Sequence, residues 1–397
     1  MAFFRNSAVN LLNLHYGIHA LALTGGGAFF TVYLIRAGVS VPGAMLSIAG
    51  IVMGRFVIRP ALLGLAVRFG MRRMVITGSL LSASQYLFLP YVHGVGAVLI
   101  AMCLVSAVGE SLYWSAYHAY FAALGDQEHR GHQISAREAI AAIVGIVSPL
   151  IAGWLLMSFG PQVAFFATSA IVATSAFPLL KTPDVPVPAQ APGAWKAAMS
   201  GLVLFLADGF VASGYYFSWQ IALFLSLHEN FLAYGGALAI AAVVGAVSGL
   251  FVGRLIDAGH GRRAAALAYL VFATIIVLRA MALRDPALAV VGNALGAFGA
   301  CLYTPTMMTA VYNLAKRSPC TMRFHTVTEA GWDLGAATGL TISAFLVWQG
   351  APLWACVLLA LVGTAAGFVM IWRYYGAHPG LIVKPELPPI ETPANPA

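Results

Sequence analysis

Charge is what this sequence has least of. Asp, Glu, Lys and Arg make up 9% of its 397 residues while 60% are hydrophobic; soluble domains carry about a quarter charged residues, so a soluble globular chain is excluded. Cysteine is sparse as well. Cys103, Cys301, Cys320 and Cys356 show no zinc or redox spacing and read as small packing residues. Short alternating segments of the kind a transmembrane β-barrel requires are missing. There is no Gly-rich phosphate loop, His-box or nucleophile elbow, and the connections are too short for a catalytic domain, so no enzyme and no cofactor is expected. The opening Met1-Ala2-Phe3-Phe4-Arg5 lacks a short apolar core with a cleavage site, and no cleaved signal is expected.

What is present instead is a succession of apolar runs of 18 or more residues, each able to cross a hydrocarbon core of about 30 Å as a helix. A helix also satisfies its own backbone hydrogen bonds in lipid. Breaking the chain at charged, Pro and Gly punctuation predicts twelve spans near 8–36, 41–67, 72–93, 95–124, 132–159, 161–180, 196–226, 230–257, 263–282, 286–315, 320–348 and 352–374. The fold class is an all-α polytopic membrane protein. The net charge of +8 sits mainly in the connections, which argues against nucleic acid as a partner. With the N-terminus inside, Arg5, Arg68, Arg72, Arg73, Arg130, Lys181, Lys196, Arg262, Arg263, Lys316, Arg317, Arg373 and Lys384 fall on the inner side, and only Arg36, Arg279 and Arg284 on the outer. The positive-inside rule therefore places both termini in the cytoplasm of a bacterial inner membrane protein.

The segment KTPDVPVPAQAPGAWK, from Lys181 to Lys196, holds four prolines and reads as an extended linker. It separates an N-terminal unit (1–180) from a C-terminal one (197–376), and a Pro-rich tail (377–397) follows. A constant shift of 190 residues relates the two units. It places Arg72-Arg73 on Arg262-Arg263, then Gly109, Leu112 and Tyr113 on Gly299, Leu302 and Tyr303. Gly145, Leu150, Leu156 and Gly160 fall on Gly335, Leu340, Leu346 and Gly350. Two pseudo-symmetric six-helix bundles with a site between them are expected.

At this point the chain resembles the major facilitator superfamily along its whole length: six plus six helices, a central linker, and basic loops after spans two and eight. The loop Gly253-Arg254-Leu255-Ile256-Asp257-Ala258-Gly259-His260-Gly261-Arg262-Arg263 is similar to that family's signature with one extra residue and Ala258 in place of an Arg. The first copy, Val67-Arg68-Phe69-Gly70-Met71-Arg72-Arg73, has Val67 where Asp is usual. The resemblance implies a gating role for Arg72, Arg73, Asp257, Arg262 and Arg263; a purely topological role for the arginines is the alternative. Gly145 to Gly153 resembles a degenerate Gly-Pro motif of the family's antiporters. The resemblance also implies that helices one, four, seven and ten line a central cavity. Helices two, five, eight and eleven would face the other half, and three, six, nine and twelve would support from outside.

A charge at a span centre costs about 2.5–3.5 kcal/mol on insertion scales, so each interior ionisable group needs a partner or a cavity. Carboxylates fall on span four (Glu110), five (Glu138, beside Arg137), seven (Asp208) and eleven (Glu329, Asp333), and imidazoles on one (His15, His19), four (His118) and eleven (His325). Glu110, Tyr113, Trp114, Tyr117 and Phe121 form one helical stripe flanked by His118. That stripe suits an amphiphilic or cationic ligand, or serves packing. Glu110 is alternatively neutralised by Arg55, Arg59 or Arg137, and Arg59-Pro60 reads as a basic anchor beside a kink. His325, Glu329 and Asp333, four apart, stack as a proton ladder; alternatively His325 and Glu329 belong to the cytoplasmic interface and only Asp333 reaches the cavity.

The expectation is a secondary transporter, a monomer in the bilayer, moving a small molecule by alternating access coupled to protons and exporting an organic, amphiphilic compound. Coupling falls to Asp208, Glu110, Asp333 and Glu329, and substrate contact to His19, Tyr113, Tyr117, His118, Tyr303 and Met307. The alternative is transport of a transition metal or siderophore-type chelate through His15, His19, His118, Met307 and Met308, although His15 near the inner end could simply be solvated. A sensor or assembly factor on the same fold is a third class.

Overall fold

In the computed structural model, which describes residues 6–125, 130–256 and 261–377, the chain is all-helical. Its helices in chain order are α1 (Ser7–Arg36), α2 (Val41–Phe69), α3 (Met71–Phe88), α4 (Ala97–Leu124), α5 (130–159), α6 (161–174), α7 (Ala194–Ser226), α8 (Phe231–Ile256), α9 (Gly261–Ala282), α10 (Pro286–Lys316), α11 (Thr321–Trp348) and α12 (Leu353–Ala377). Among the described residues, ten helical stretches are long and apolar enough to span a membrane. Residues 140–181 count there as one stretch although the chain reverses at Gly160, whose φ of 81° turns α5 into α6 just before Pro161. The other difference is α3, which Arg72, Arg73, Ser79, Ser82 and Gln85 make too polar to qualify by hydropathy.

Local chemistry sets the ends. The Asn6 side chain caps α1 through Val9 N, Ser40 caps α2 through Gly43 N with Pro42 in its first turn, and Asp285 caps α10 through Ala287 N and Leu288 N ahead of Pro286. Two helices are interrupted. A Gly25-Gly26-Gly27 run breaks α1 into a 3-10 turn over Gly26–Phe29, and α7 widens into a π-helix over Ser213–Ser218.

Packing divides the helices into two sets. In the first, α1 lies on α5, α2 on α4 and α3 on α4; in the second, α7 lies on α11, α8 and α9 on α10, and α12 on α7 and α9. The halves meet along α2–α11 and α5–α8. Shifting α2 and α5 by the 190-residue repeat gives α8 and α11, so the interface is pseudo-symmetric as the repeat requires. Close approach depends on small residues: Gly335 packs on Leu206 O and Gly209 on Trp332 O between α11 and α7, with no room for a side chain. Two of the repeat glycines, Gly109 and Gly299, are explained in the same way. A Cβ on Gly109 would lie 2.7 Å from Ser82 N on α3, and one on Gly299 would lie 2.9 Å from the Ile275 side chain on α9. Large exposed apolar side chains such as Val57, Ile143, Leu270 and Trp348 ring the bundle, a surface suited to lipid.

The Pro-rich segment between the halves is docked rather than free. The Tyr120 hydroxyl donates to Thr182 Oγ1 at 2.6 Å, Arg72 donates to Thr182 O at 2.8 Å, and the Asp184 carboxylate accepts from Arg72 N at 3.2 Å. From the other half, Arg323 at the start of α11 donates to Pro188 O at 3.0 Å and Ala189 O at 2.7 Å. The strap thereby ties both halves on the face that carries the Ser7 and Ala377 helix ends. On the opposite face the halves meet through Phe29 against Tyr234 (centroids 5.3 Å apart), Tyr33 against Phe231 (6.4 Å) and an Arg36–Glu229 pair at 3.4 Å.

Candidate functional site: a charged cavity between the halves

Between these two sets of contacts lies a cavity of about 710 Å³, within the size range of small-molecule sites. It is walled by α1, α2, α3, α4, α5, α7, α8, α10 and α11. Helices α1, α4, α7 and α10 line it as the resemblance implied. So does α3, through Gln85 and Tyr86, which corrects its assignment to outer support.

One ionic cluster joins the halves at this cavity. Arg55 on α2 pairs with Glu110 of its own half (3.0 Å) and with Asp333 (3.0 Å) and Glu329 (3.5 Å) on α11. One turn on, Arg59 pairs with Asp333, with Glu329 at 3.4 Å, and donates to Ser115 Oγ on α4 at 2.7 Å. Arg59 is 2% exposed and Asp333 0%, so the expected basic anchor is a buried ion-pair member. The reason is that α2 packs on α11, turning Arg59 inward, and such a charge persists inside only with a partner. Glu110 has its partner in Arg55; Arg137 instead lies over the Tyr16 and Phe121 rings, at 5.1 and 5.0 Å.

On α11 the alternative in which only Asp333 reaches the cavity is corrected. Glu329 lines the cavity, whereas Asp333, which that alternative brought to it, sits behind under the two arginines. His325 is buried, its ring 6.2 Å from that of His118. The aromatic stripe on α4 splits by rotation. Glu110, Trp114 and His118, spaced by four, face the cavity; Tyr113 and Tyr117 are fully packed behind. There Tyr113 stacks on His19 (4.2 Å) and Tyr117 on Tyr16 (5.4 Å).

In the second half Asp208 lines the cavity, accepts the Tyr303 hydroxyl at 2.8 Å and lies against the Trp332 indole. Tyr303 is buried and stacks on Phe272 at 4.2 Å. Tyr113 and Tyr303 are repeat equivalents, so each half sets a tyrosine against a polar group of its first helix: His19 on α1, Asp208 on α7. Met307 and Met308 line the cavity with Thr304. Trp332, Tyr216, Phe217, Gln85 and Gln220 also line it and went unremarked in the sequence, because uncharged residues on a span carry no cost signal that singles them out.

The metal alternative finds no support in this arrangement. Among the described residues no three His, Cys, Asp or Glu side chains converge as ligands. His15 is buried rather than solvated; one ring nitrogen meets Ser175 O at 2.6 Å and the other Tyr113 Oη at 3.1 Å. Of the gating residues, Arg72 engages the strap, Arg73 and Arg263 are exposed, and Arg262 lies over the Trp372 ring at 3.9 Å within its own half. Asp257, the Glu138 side chain and the tail from 378 fall outside the described residues. Arg279, expected on the outer side, is buried between the Trp219 and Tyr215 rings at 4.2 and 4.4 Å, because α9 packs that face toward α7 and α10.

No curated protein matches the chain in sequence. Among solved structures it is similar to the human organic anion transporter MFSD10 (TETRAN), with 15% identity over 92% of this chain and 99% of that one and a TM-score of 0.69. It is also similar to the POT family transporter PepTSo, with 12% identity over 94% and 98% of the two chains and a TM-score of 0.69. At these identities the likeness is one of fold. The family model for the Major Facilitator Superfamily matches residues 12–277. With an all-helical chain, ten candidate spans among the described residues and a central cavity already in place, this chain belongs to the Major Facilitator Superfamily of membrane transporters.

Proposed function

We propose that the protein is a proton-coupled secondary transporter, and not an enzyme, that moves a small organic solute through the central cavity by alternating access. The observation that carries this reading is the α2–α11 ion cluster. Arg55 and Arg59 hold Glu329 and Asp333 of the opposite half, and Arg55 at the same time holds Glu110 of its own. The polar bonds that join the halves at the cavity are therefore charge pairs. A proton on Glu110, Glu329 or Asp333 removes one negative charge from the cluster and weakens the hold, linking proton occupancy to the relative position of the halves. Asp208, across the cavity, is a fourth carboxylate able to take part. His118 and Met307 on the wall contact solute; His19, Tyr113, Tyr117 and Tyr303 shape the wall from behind. The aromatic lining favours an amphiphilic compound, with export as the direction, from a bacterial inner membrane with both termini in the cytoplasm.

The test is proteoliposomes of the purified protein containing an entrapped pH dye, challenged with a panel of organic solutes. Solute-evoked proton movement is expected, and it should be lost in Glu329→Gln and Asp333→Asn. Solute flux at wild-type rate in both variants, indifferent to an imposed pH gradient, would remove proton coupling through this cluster.

A further inference from the structure

We propose that the solute accepted by the cavity is an organic cation, held by the Asp208 carboxylate against an aromatic wall of Trp114 and Trp332. This names a substrate class for the transporter reading above and rests on it. The first observation is a charge imbalance. Among the described residues, Glu110, Asp208 and Glu329 line the cavity with one guanidinium, Arg55, and no lysine. Adding Arg59 and Asp333 behind them, four carboxylates stand against two guanidinium groups. Charge held inside the protein without a counter-charge is costly, and a cationic solute supplies what is missing.

The second observation is which charges are already engaged. Arg55 has one terminal nitrogen 3.0 Å from Glu110, the other within 3.0 Å of Asp333 and 3.5 Å of Glu329, and its guanidinium is 5.5 Å from the Trp332 ring centre. An anion entering the cavity would have to displace a carboxylate from Arg55, the one lining guanidinium among the described residues. Asp208 is in the reverse position. Its hydrogen-bond partners are neutral, the Tyr303 hydroxyl at 2.8 Å and the Trp332 indole, and the charge felt there is the like-signed Glu329. These orient the carboxylate and leave its charge uncompensated. Trp114, Trp332, Tyr216 and Phe217 share the cavity with it, and aromatic faces attract cations as well as apolar bulk. The chemistry therefore opposes an organic anion, even though one structure of similar fold is an organic anion transporter.

The experiment compares tetraphenylphosphonium with tetraphenylborate, ions of like shape and opposite charge. Binding is measured to the full-length protein in lipid nanodiscs, with empty nanodiscs subtracted. The phosphonium is expected to bind at least about tenfold more tightly. Its affinity should fall about tenfold or more in Asp208→Asn and be largely kept in Asp208→Glu. Equal affinity for the two ions, or preference for the borate, overturns the cation class; unchanged phosphonium binding in Asp208→Asn overturns the assignment to Asp208. If Asp208→Asn does not fold, the comparison of the two ions on the wild-type protein still decides the class. Failure of the transporter reading looks different: Asp208-dependent phosphonium binding with no solute flux in proteoliposomes sinks transport and keeps the cation site. Flux of an anionic solute without phosphonium binding does the opposite.

Discussion

Arg59 shows what a single residue does in this molecule. It stands mid-helix on α2, nearly without exposure, and its guanidinium reaches Asp333, Glu329 and Ser115. Replacing it by Met removes a charge and strands Asp333 with Arg55 as its remaining counter-charge. Breaking a buried pair from one side costs about 3–5 kcal/mol, whereas replacing both partners by apolar residues is often near neutral. Arg59→Met is therefore expected to lower the thermal unfolding temperature markedly, and Arg59→Met with Asp333→Leu to recover most of the loss. A double variant no more stable than the single one would mean that the ion pair does not account for the effect. The sequence made the carboxylates visible because each is costly in a span. It could not show that Arg59 answers Asp333, 274 positions away, since pairing across halves depends on packing that no local pattern encodes. Next to Pro60, the arginine looked like an anchor. The α4 stripe failed more finely: apolar and polar aromatics spaced by three and four were visible, but the rotation that turns Glu110, Trp114 and His118 inward, and Tyr113 and Tyr117 away, was not.

At the scale of elements, helix existence was legible and helix detail was not. Lipid forces long apolar stretches to be helices, so hydropathy and punctuation place the helices, ten of which among the described residues qualify as spans, down to the reversal at Gly160. The π-helix over Ser213–Ser218 had no sequence mark. Its repeat equivalent is residues 23–28, where α1 is broken by glycines, so both first helices of the halves are irregular where they border the cavity. Glycine also sets how close α7 and α11 come. Gly335 packs on Leu206 O, whereas Gly50 on α2 has no atom within 4 Å of a would-be Cβ. Gly335→Ala is expected to lower the unfolding temperature, while Gly50→Ala leaves it unchanged or raises it, by up to about 1 kcal/mol of helix propensity. Equal effects would show that backbone approach between α7 and α11 is not the constraint. The strap offers a second check at this scale. Arg323 holds it by charge-assisted bonds to Pro188 O and Ala189 O, each worth about 1.5–3 kcal/mol. In Arg323→Ala, elastase should cut the strap after Ala189 roughly tenfold faster, and a cleavage rate equal to wild type would mean that the strap is held elsewhere.

For the whole molecule, the arrangement to be tested is two rigid halves that rock about the cavity. The geometry supplies a lock. A Cβ on Gly145 of α5 would lie 3.8 Å from Ala242 Cβ of α8, the spacing of a disulfide, and these helices belong to different halves. A matched control lies within the second half, where a Cβ on Gly245 of α8 would be 3.6 Å from Ala297 Cβ of α10. The four native cysteines, none of them in a disulfide, are first replaced. Thr304, on the cavity wall, then becomes a reporter as Thr304→Cys, labelled by a membrane-impermeant maleimide after the disulfide is formed. If the halves alternate, the unlinked protein is labelled from both sides of the membrane. Gly145→Cys with Ala242→Cys, once oxidised, permits labelling from at most one side, and reduction restores the other. Gly245→Cys with Ala297→Cys leaves labelling from both sides intact, because a bond inside one rigid half does not oppose the motion between halves. Two-sided labelling through the oxidised α5–α8 link would show that access does not depend on separating these helices, and the rocking motion would have to be given up.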